Sequence, residues 1–307
     1  MEFLHLLEQI RTPFGDALMS LITMLGEETL FIAVALVIFW CVNKKQGYYL
    51  LFTGFLGIVC IQILKMIFLI PRPWVLDPSF TIVESAREAA TGYSFPSGHT
   101  QVAACLYGGI ALSSKKLWLR IAGVSACLLI AFSRMYLGVH TPLDVLVSLA
   151  IGAALVFALY PIVYRCFDQP KKMAVLIGVS LLLALGNLLF VFLHQFPADV
   201  SAENLADAQK VASQMLAMIL GMCIIYPVER KYVRFEVRGV WWVQALKLVI
   251  GVALILGVRV LLKSPCNALL GVNLGSALRY FIIVMIAGLG WPLTFPFWSR
   301  LGKKKEA

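Results

Sequence analysis

Two histidines, a carboxylate and three cations in this chain have the types and spacing needed for phosphoryl chemistry. They fall in three short stretches, each where charged side chains abut a long apolar run. These are Lys65-Met66-Ile67-Phe68-Leu69-Ile70-Pro71-Arg72-Pro73, Tyr93-Ser94-Phe95-Pro96-Ser97-Gly98-His99, and Ser133-Arg134 followed by His140 and Asp144. Arg72 and Arg134 suit a bidentate grip on phosphate oxygens, and Lys65 adds a point charge. Ser97 carries a hydroxyl donor, while Gly98, lacking Cβ, admits backbone N–H groups close to a phosphoryl oxygen. Such donors stabilise the charge that builds on the equatorial oxygens in the transition state. One imidazole must attack phosphorus and the other must protonate the leaving oxygen. Asp144 stands one helical turn after His140, where it can hold the ring N–H and raise its nucleophilicity. The expected roles are His140 as nucleophile, His99 as general acid and then base for water, and Asp144 as the orienting group. A site with three cations calls for a dianionic or more highly charged partner.

These residues need elements to carry them, and composition says which. The 307 residues are 61% hydrophobic and 14% charged, with mean hydropathy +0.88, too apolar for a water-soluble domain. A net charge of +10 would suit nucleic acid, but the basic residues sit in short runs between long apolar segments, so no nucleic-acid partner is expected. A helix needs about 20 apolar residues to cross hydrocarbon, and roughly nine candidates occur: 22–42, 47–70, 99–114, 117–137, 141–164, 173–194, 207–228, 240–262 and 276–298. Connections alternate in charge. One set holds Lys44 and Lys45; Lys115, Lys116 and Arg120; Arg165, Lys171 and Lys172; Arg230, Lys231, Arg234 and Arg238; and Arg300 with Lys303, Lys304 and Lys305. The other set, near 71–98, 138–140, 195–206 and 263–275, is poor in Lys and Arg. The positive-inside rule then puts the first set and the C-terminus in the cytoplasm. All the candidate site residues fall in one layer at the opposite face, although they are far apart in sequence. Met1 to Pro13 has the pattern of an amphipathic helix at the membrane surface rather than of a signal peptide.

The three stretches, in this order and spacing, resemble the type 2 phosphatidic acid phosphatase (PAP2) superfamily. Lys65 to Pro73 looks like its K-x6-R-P motif, Pro96 to His99 like P-S-G-H, and Ser133 to Asp144 like S-R-x5-H-x3-D. No position departs from the pattern. The resemblance implies an all-α polytopic membrane protein with a six-helix core and further C-terminal helices. It also implies a metal-independent, cofactor-free mechanism through a phosphohistidine. The domains expected are a surface segment over 1–20, a phosphatase core over 21–166, and a C-terminal transmembrane bundle over 167–307 that completes and extends it. The expected substrate is a phosphorylated lipid, a monoester or diphosphate of the undecaprenyl diphosphate or phosphatidate type, met among membrane lipids at a bacterial plasma membrane. A glucose-6-phosphatase-like or sphingosine-phosphate-phosphatase-like activity is the alternative within the class. Binding or transport of a phosphorylated lipid without hydrolysis is the alternative outside it.

Other residues carry less. Seven cysteines lack C-x-x-C pairs or histidines at zinc spacing, so neither a disulfide framework nor a metal site is expected. His5 and His194 have no motif around them. Lys247 lies deep in the eighth span and is expected to face protein and pair with a carboxylate. Arg259, Lys263 and Arg279 stay open between two roles: extending the anion-binding surface toward a second phosphate, or snorkelling to headgroups.

Overall fold

The computed structural model describes residues 1–237 and 239–301, and among them are helices and their connections but no strand. Arg238, Lys303, Lys304 and Lys305 of the basic runs lie outside the described residues. The chain opens with α1 (Glu2–Gln9), α2 (Pro13–Met24) and α3 (Glu28–Val37), the last continued by a π turn over Ile38–Val42. α4 (Lys44–Phe68) and the single-turn α5 (Pro73–Leu76) precede a long loop. Next comes an interrupted helix: α6 (Gly98–Ala103), a π turn over Ala104–Gly108, and α7 (Gly109–Ser113). Long helices α8 (Leu117–Tyr136), α9 (Pro142–Cys166), α10 (Pro170–Leu193), α11 (Ala202–Val228), α12 (Trp241–Leu261) and α13 (Lys263–Met285) follow, then α14 (Phe295–Arg300).

Among the described residues, seven helices are long and apolar enough to cross a membrane, and eight if α2 and α3, bent by 47°, count as one span. The protein is an integral membrane protein. The expected span at 99–114 is the one missing from that set. Its helix is short, broken by a π turn, and buries Thr100 and Gln101. α8 lies directly on that turn, where a Cβ on Gly123 would come 2.6 Å from the Tyr107 carbonyl. A segment covered by protein need not meet the apolarity that lipid demands.

The described chain forms two compact units. The first comprises Met1–Ile32, Tyr49–Ile162 and Leu193–Ala208; the second comprises Ala33–Tyr48, Val163–Phe192 and Gln209–Ala307. In the first, Leu4 and Leu7 of α1 pack on Phe80, so that part of the N-terminal apolar face meets protein, while Phe3, Leu6 and Ile10 stay exposed. The polar face of α1 is tied as well. His5 bridges Asp77 (2.9 Å) and Glu8 (3.0 Å), and Arg11 donates to the Tyr136 and Thr81 carbonyls. Asp77, held by Ser79 and His5, is pulled down to about 2, and its hydrogen bond, with that of Glu8, pushes His5 up.

In the second unit, α12 packs on α13, α14 and the π turn after α3. Lys247 of α12 is buried there, without the expected carboxylate among the described residues. Its Nζ donates to the Trp40 carbonyl at 3.1 Å and sits 4.1 Å from the centre of the Phe295 ring. Carbonyls at a helix C-terminus have no partner within the helix and carry the negative end of its dipole, so a lysine can be accommodated by one. Trp40 in turn donates its indole N–H to the Ala287 carbonyl.

Candidate active site

The whole candidate site belongs to the first unit. α4 ends at Phe68, and Leu69 takes a left-handed conformation (φ 51°), costly for a non-glycine residue. The chain then passes through Ile70-Pro71, and Arg72 stands before α5 with Pro73 in its first position. Lys65, in the last turn of α4, and Arg72 are both buried. Carbonyls of the 91–92 loop hold them. Lys65 Nζ reaches Thr91 O (3.4 Å), Arg72 Nε reaches Gly92 O (3.0 Å), and Arg72 Nη2 reaches Thr91 O (2.6 Å).

Ser97 is the N-cap of α6, accepting from Thr100 Oγ1 (3.0 Å) and from the Thr100 N–H. Its oxygen thus serves the helix, while its own O–H proton is free for another acceptor. A Cβ on Gly98 would meet nothing within 4 Å, so the first turn of α6 opens onto free space. His99 follows, with Nε2 buried and unpartnered among the described residues. Its backbone is set by the α2–α3 bend: a Cβ on Gly26 would lie 3.0 Å from His99 O and 2.8 Å from Ile130 Cγ2.

Arg134 closes α8 and is fully buried. Nη1 donates to Thr23 Oγ1 (2.9 Å), but Nε and Nη2 have no partner among the described residues. The turn from α8 to α9 uses Gly138 at φ 82°, a conformation that favours glycine. His140 follows at once. α9 begins with a reciprocal cap: Asp144 Oδ2 accepts the Thr141 N–H (2.8 Å), and Thr141 Oγ1 accepts the Asp144 N–H (3.3 Å). Helix capping therefore places the carboxylate, and the same oxygen accepts from His140 Nδ1 at 3.3 Å.

The hydrogen bonds assign the His140 tautomer. Arg72 Nη1 lies 2.9 Å from His140 Nε2, and an arginine can only donate, so Nε2 carries the lone pair. The Nδ1 proton then points at Asp144. Burial, and then the nearby Arg72, Arg134 and Lys65, hold His140 well below the ordinary histidine range, which keeps it neutral. One buried, neutral imidazole thus presents a lone pair among cations.

Lys65, Arg72, Ser97, Gly98, His99, Arg134, His140 and Asp144 all lie in this unit, and direct bonds join Arg72, His140 and Asp144. Sequence reasoning missed Ser94. Its hydroxyl donates to Asp144 Oδ2 at 2.6 Å, its N–H donates to the Ile70 carbonyl at 2.8 Å, and it is fully buried. Its place three residues before a candidate site serine was the only signal, and that spacing says nothing about its contact with Asp144. Neighbouring Tyr93 accepts the Ser201 N–H at 3.2 Å.

The fold and this cationic, histidine-bearing site define an α-helical membrane hydrolase of phosphoric esters. Residues 46–168 match the family model of the PAP2 superfamily, and residues 213–304 match that of the PAP2 superfamily phosphatase, transmembrane extension. An undecaprenyl-diphosphatase of Sulfolobus acidocaldarius is 31% identical over 48% of this chain and 70% of its own. A phosphatidylglycerophosphatase B of Bacillus subtilis is 31% identical over 53% of this chain and 80% of its own. The crystal structure of Aquifex aeolicus LpxE overlays with a TM-score of 0.45 at 27% identity, covering 52% of this chain and 92% of that one. The chain belongs to the PAP2 superfamily and is a phosphatase of it.

Proposed function

We propose that the protein hydrolyses a lipid phosphomonoester or diphosphate through a phosphohistidine on His140. The observation that carries this is the His140 tautomer, with a lone pair on Nε2 beside Arg72 and a proton on Nδ1 facing Asp144. A phosphoryl group enters beside Nε2, drawing Arg72 Nη1 onto its oxygens, while the two unused nitrogens of Arg134 and the Ser97 hydroxyl supply further donors. Nε2 forms a bond to phosphorus, the bond from phosphorus to the leaving oxygen breaks, and His99 gives that oxygen a proton. His99 then takes a proton from water, the water oxygen bonds to phosphorus, and the N–P bond breaks to release phosphate and restore His140. Cations carry the charge of the transition state, so the scheme calls on no metal.

The names of two relatives support a lipid with a diphosphate or terminal monophosphate, of the undecaprenyl diphosphate or phosphatidylglycerophosphate kind, and phosphatidate carries the same terminal monophosphate. The distribution of Lys and Arg supports a site facing outward and a cytoplasmic C-terminus. The test is phosphate release by the purified protein in detergent, on those three lipids with sphingosine phosphate and glucose 6-phosphate. Turnover of a lipid that disappears in His140→Ala, with an unchanged thermal unfolding temperature, is the expected result. Equal turnover in the variant, or silence across the panel, sinks the proposal and favours binding or transport.

A further inference from the structure

The second unit holds a buried cation that the chemistry above does not use. Arg279 of α13 is 6% exposed, and its only hydrogen bond among the described residues runs from Nη2 to Ser276 Oγ at 3.2 Å. Nε and Nη1, which carry three N–H bonds between them, have no partner among the described residues. Ser276 Oγ also accepts from Gln214 Nε2 at 2.7 Å, so its two lone pairs are spent and its own proton is left over. Ser276 is 1% exposed. With the second hydrogen of Nη2, five hydrogens thus lack an acceptor around one guanidinium among the described residues.

More of the layer is unsatisfied. Gln209 of α11 donates to the Val191 carbonyl of α10, which sets the register of this antiparallel pair. One turn further along both helices stand Ser213 and Asn187, both buried, and neither amide atom of Asn187 has a partner among the described residues. Gln214, next to Ser213, lies about 18 Å along α11 from Ala202, so the layer sits within the membrane-spanning part. A fold-level feature keeps α13 tight here. The helix breaks at Gly271 (φ 74°, ψ 175°) and doubles back, so that a Cβ on Gly275 would lie 2.4 Å from the Cys266 carbonyl.

Helix pairing alone does not account for this. The Gln214–Ser276 bond already joins α11 to α13 with both side chains neutral. A buried guanidinium with unused donors is expensive unless an acceptor of opposite charge meets it. Water would fill hydrogen bonds but leave the charge, whereas a tetrahedral oxyanion answers both.

We propose that Arg279, with the hydroxyl of Ser276, forms a second phosphate-binding site inside the C-terminal bundle. The occupant is a phosphate group, either free phosphate or the headgroup of an anionic lipid. Neither source requires covalent chemistry at this site.

The test titrates radiolabelled orthophosphate into the full chain, purified in an uncharged detergent. Two classes of site are expected, of which one weakens by about tenfold or more in Arg279→Gln and less in Ser276→Ala. Both variants keep phosphate release from the lipid substrate. Repeating the titration in phosphatidylglycerol nanodiscs separates the sources. If the Arg279-dependent class is blocked in the discs but open in detergent, a lipid headgroup fills the site; if it is open in both, free phosphate does. Isotherms identical in wild type and both variants overturn the proposal, as does a wild type that shows only one class in both media and whose unfolding temperature does not depend on phosphatidylglycerol. Should Arg279→Gln not fold, Ser276→Ala, which leaves the guanidinium in place, decides the question.

Discussion

Replacing Ser94 with alanine removes one short bond from the oxygen that orients His140. Asp144 Oδ2 accepts from Ser94 Oγ at 2.6 Å, from the Thr141 N–H at 2.8 Å and from His140 Nδ1 at 3.3 Å. The contact to His140 is the longest of the three, so the imidazole is aligned by a carboxylate that the other two donors hold still. A hydrogen bond to a charged acceptor contributes about 1.5–3 kcal/mol net. Were all of it lost in the transition state, turnover would fall roughly 10- to 150-fold, since about 1.4 kcal/mol is tenfold. Thr141 still anchors the oxygen in Ser94→Ala, so the expected loss lies at the low end, about tenfold in kcat. KM should barely move, because Ser94 touches the carboxylate and no donor assigned to the phosphate. Steady-state phosphate release on the best lipid substrate reads both constants, with thermal unfolding measured alongside. A Ser94→Ala enzyme that loses unfolding temperature but keeps wild-type kcat refutes the reasoning and leaves Ser94 a packing residue. A rise in KM with kcat unchanged refutes it equally.

Phosphate release should persist in EDTA and be blocked by vanadate, which copies the five-coordinate phosphorus; activity lost on chelation and restored by Mg²⁺ would end the metal-free scheme. Lys247→Met should leave the unfolding temperature unchanged or raised, because Met keeps the volume of the stem and removes a buried charge, which offsets the loss of one bond to a carbonyl and of the contact with the Phe295 ring; Lys247→Ala, which opens a cavity, should lower it. The tether of α1 should depend on pH. His5, raised on folding, stabilises fully below its unfolded value near 6.5 and loses that contribution as pH climbs through its higher folded value. Asp77, depressed to about 2, contributes above about 3.8 and loses it as pH falls toward 2. Amide protection in residues 2–9, with exchange corrected for its intrinsic pH dependence, should therefore be highest between about pH 4 and 6.5 and fall on either side; a flat profile, or one unchanged in His5→Gln, would remove the role of this pair.

Much of the site was legible without coordinates. Positions separated by long apolar runs, with basic connections alternating between them, had to return to one membrane face, because hydrocarbon forbids any other course for the backbone. That reasoning needed only residue types and spacing, and the structure brings Lys65, Arg72, His99, Arg134, His140 and Asp144 into one compact unit. The four-residue step from His140 to Asp144 foretold their contact but not its cause: His140 stands before α9, and the cap at Thr141, not a helical turn, brings the carboxylate to the ring. The count of spans was less legible. At 99–114 the chain is covered by protein and interrupted by a π turn, and hydropathy cannot tell lipid from apolar protein as surroundings.

What only the tertiary structure decided were bonds whose partners are distant in sequence. Ser94 meets Asp144 across 50 residues, Arg72 spends three of its donors on loop carbonyls and Val139, and Arg134 leaves two nitrogens unspent because Thr23 satisfies a third. Lys247 turned out to need no carboxylate at all, because a helix end from another part of the chain presents a carbonyl. Residue type states what a side chain can donate or accept. Which donor reaches which acceptor depends on ångström-scale placement of whole helices, and that placement is set by packing over the entire unit rather than by any local stretch of sequence.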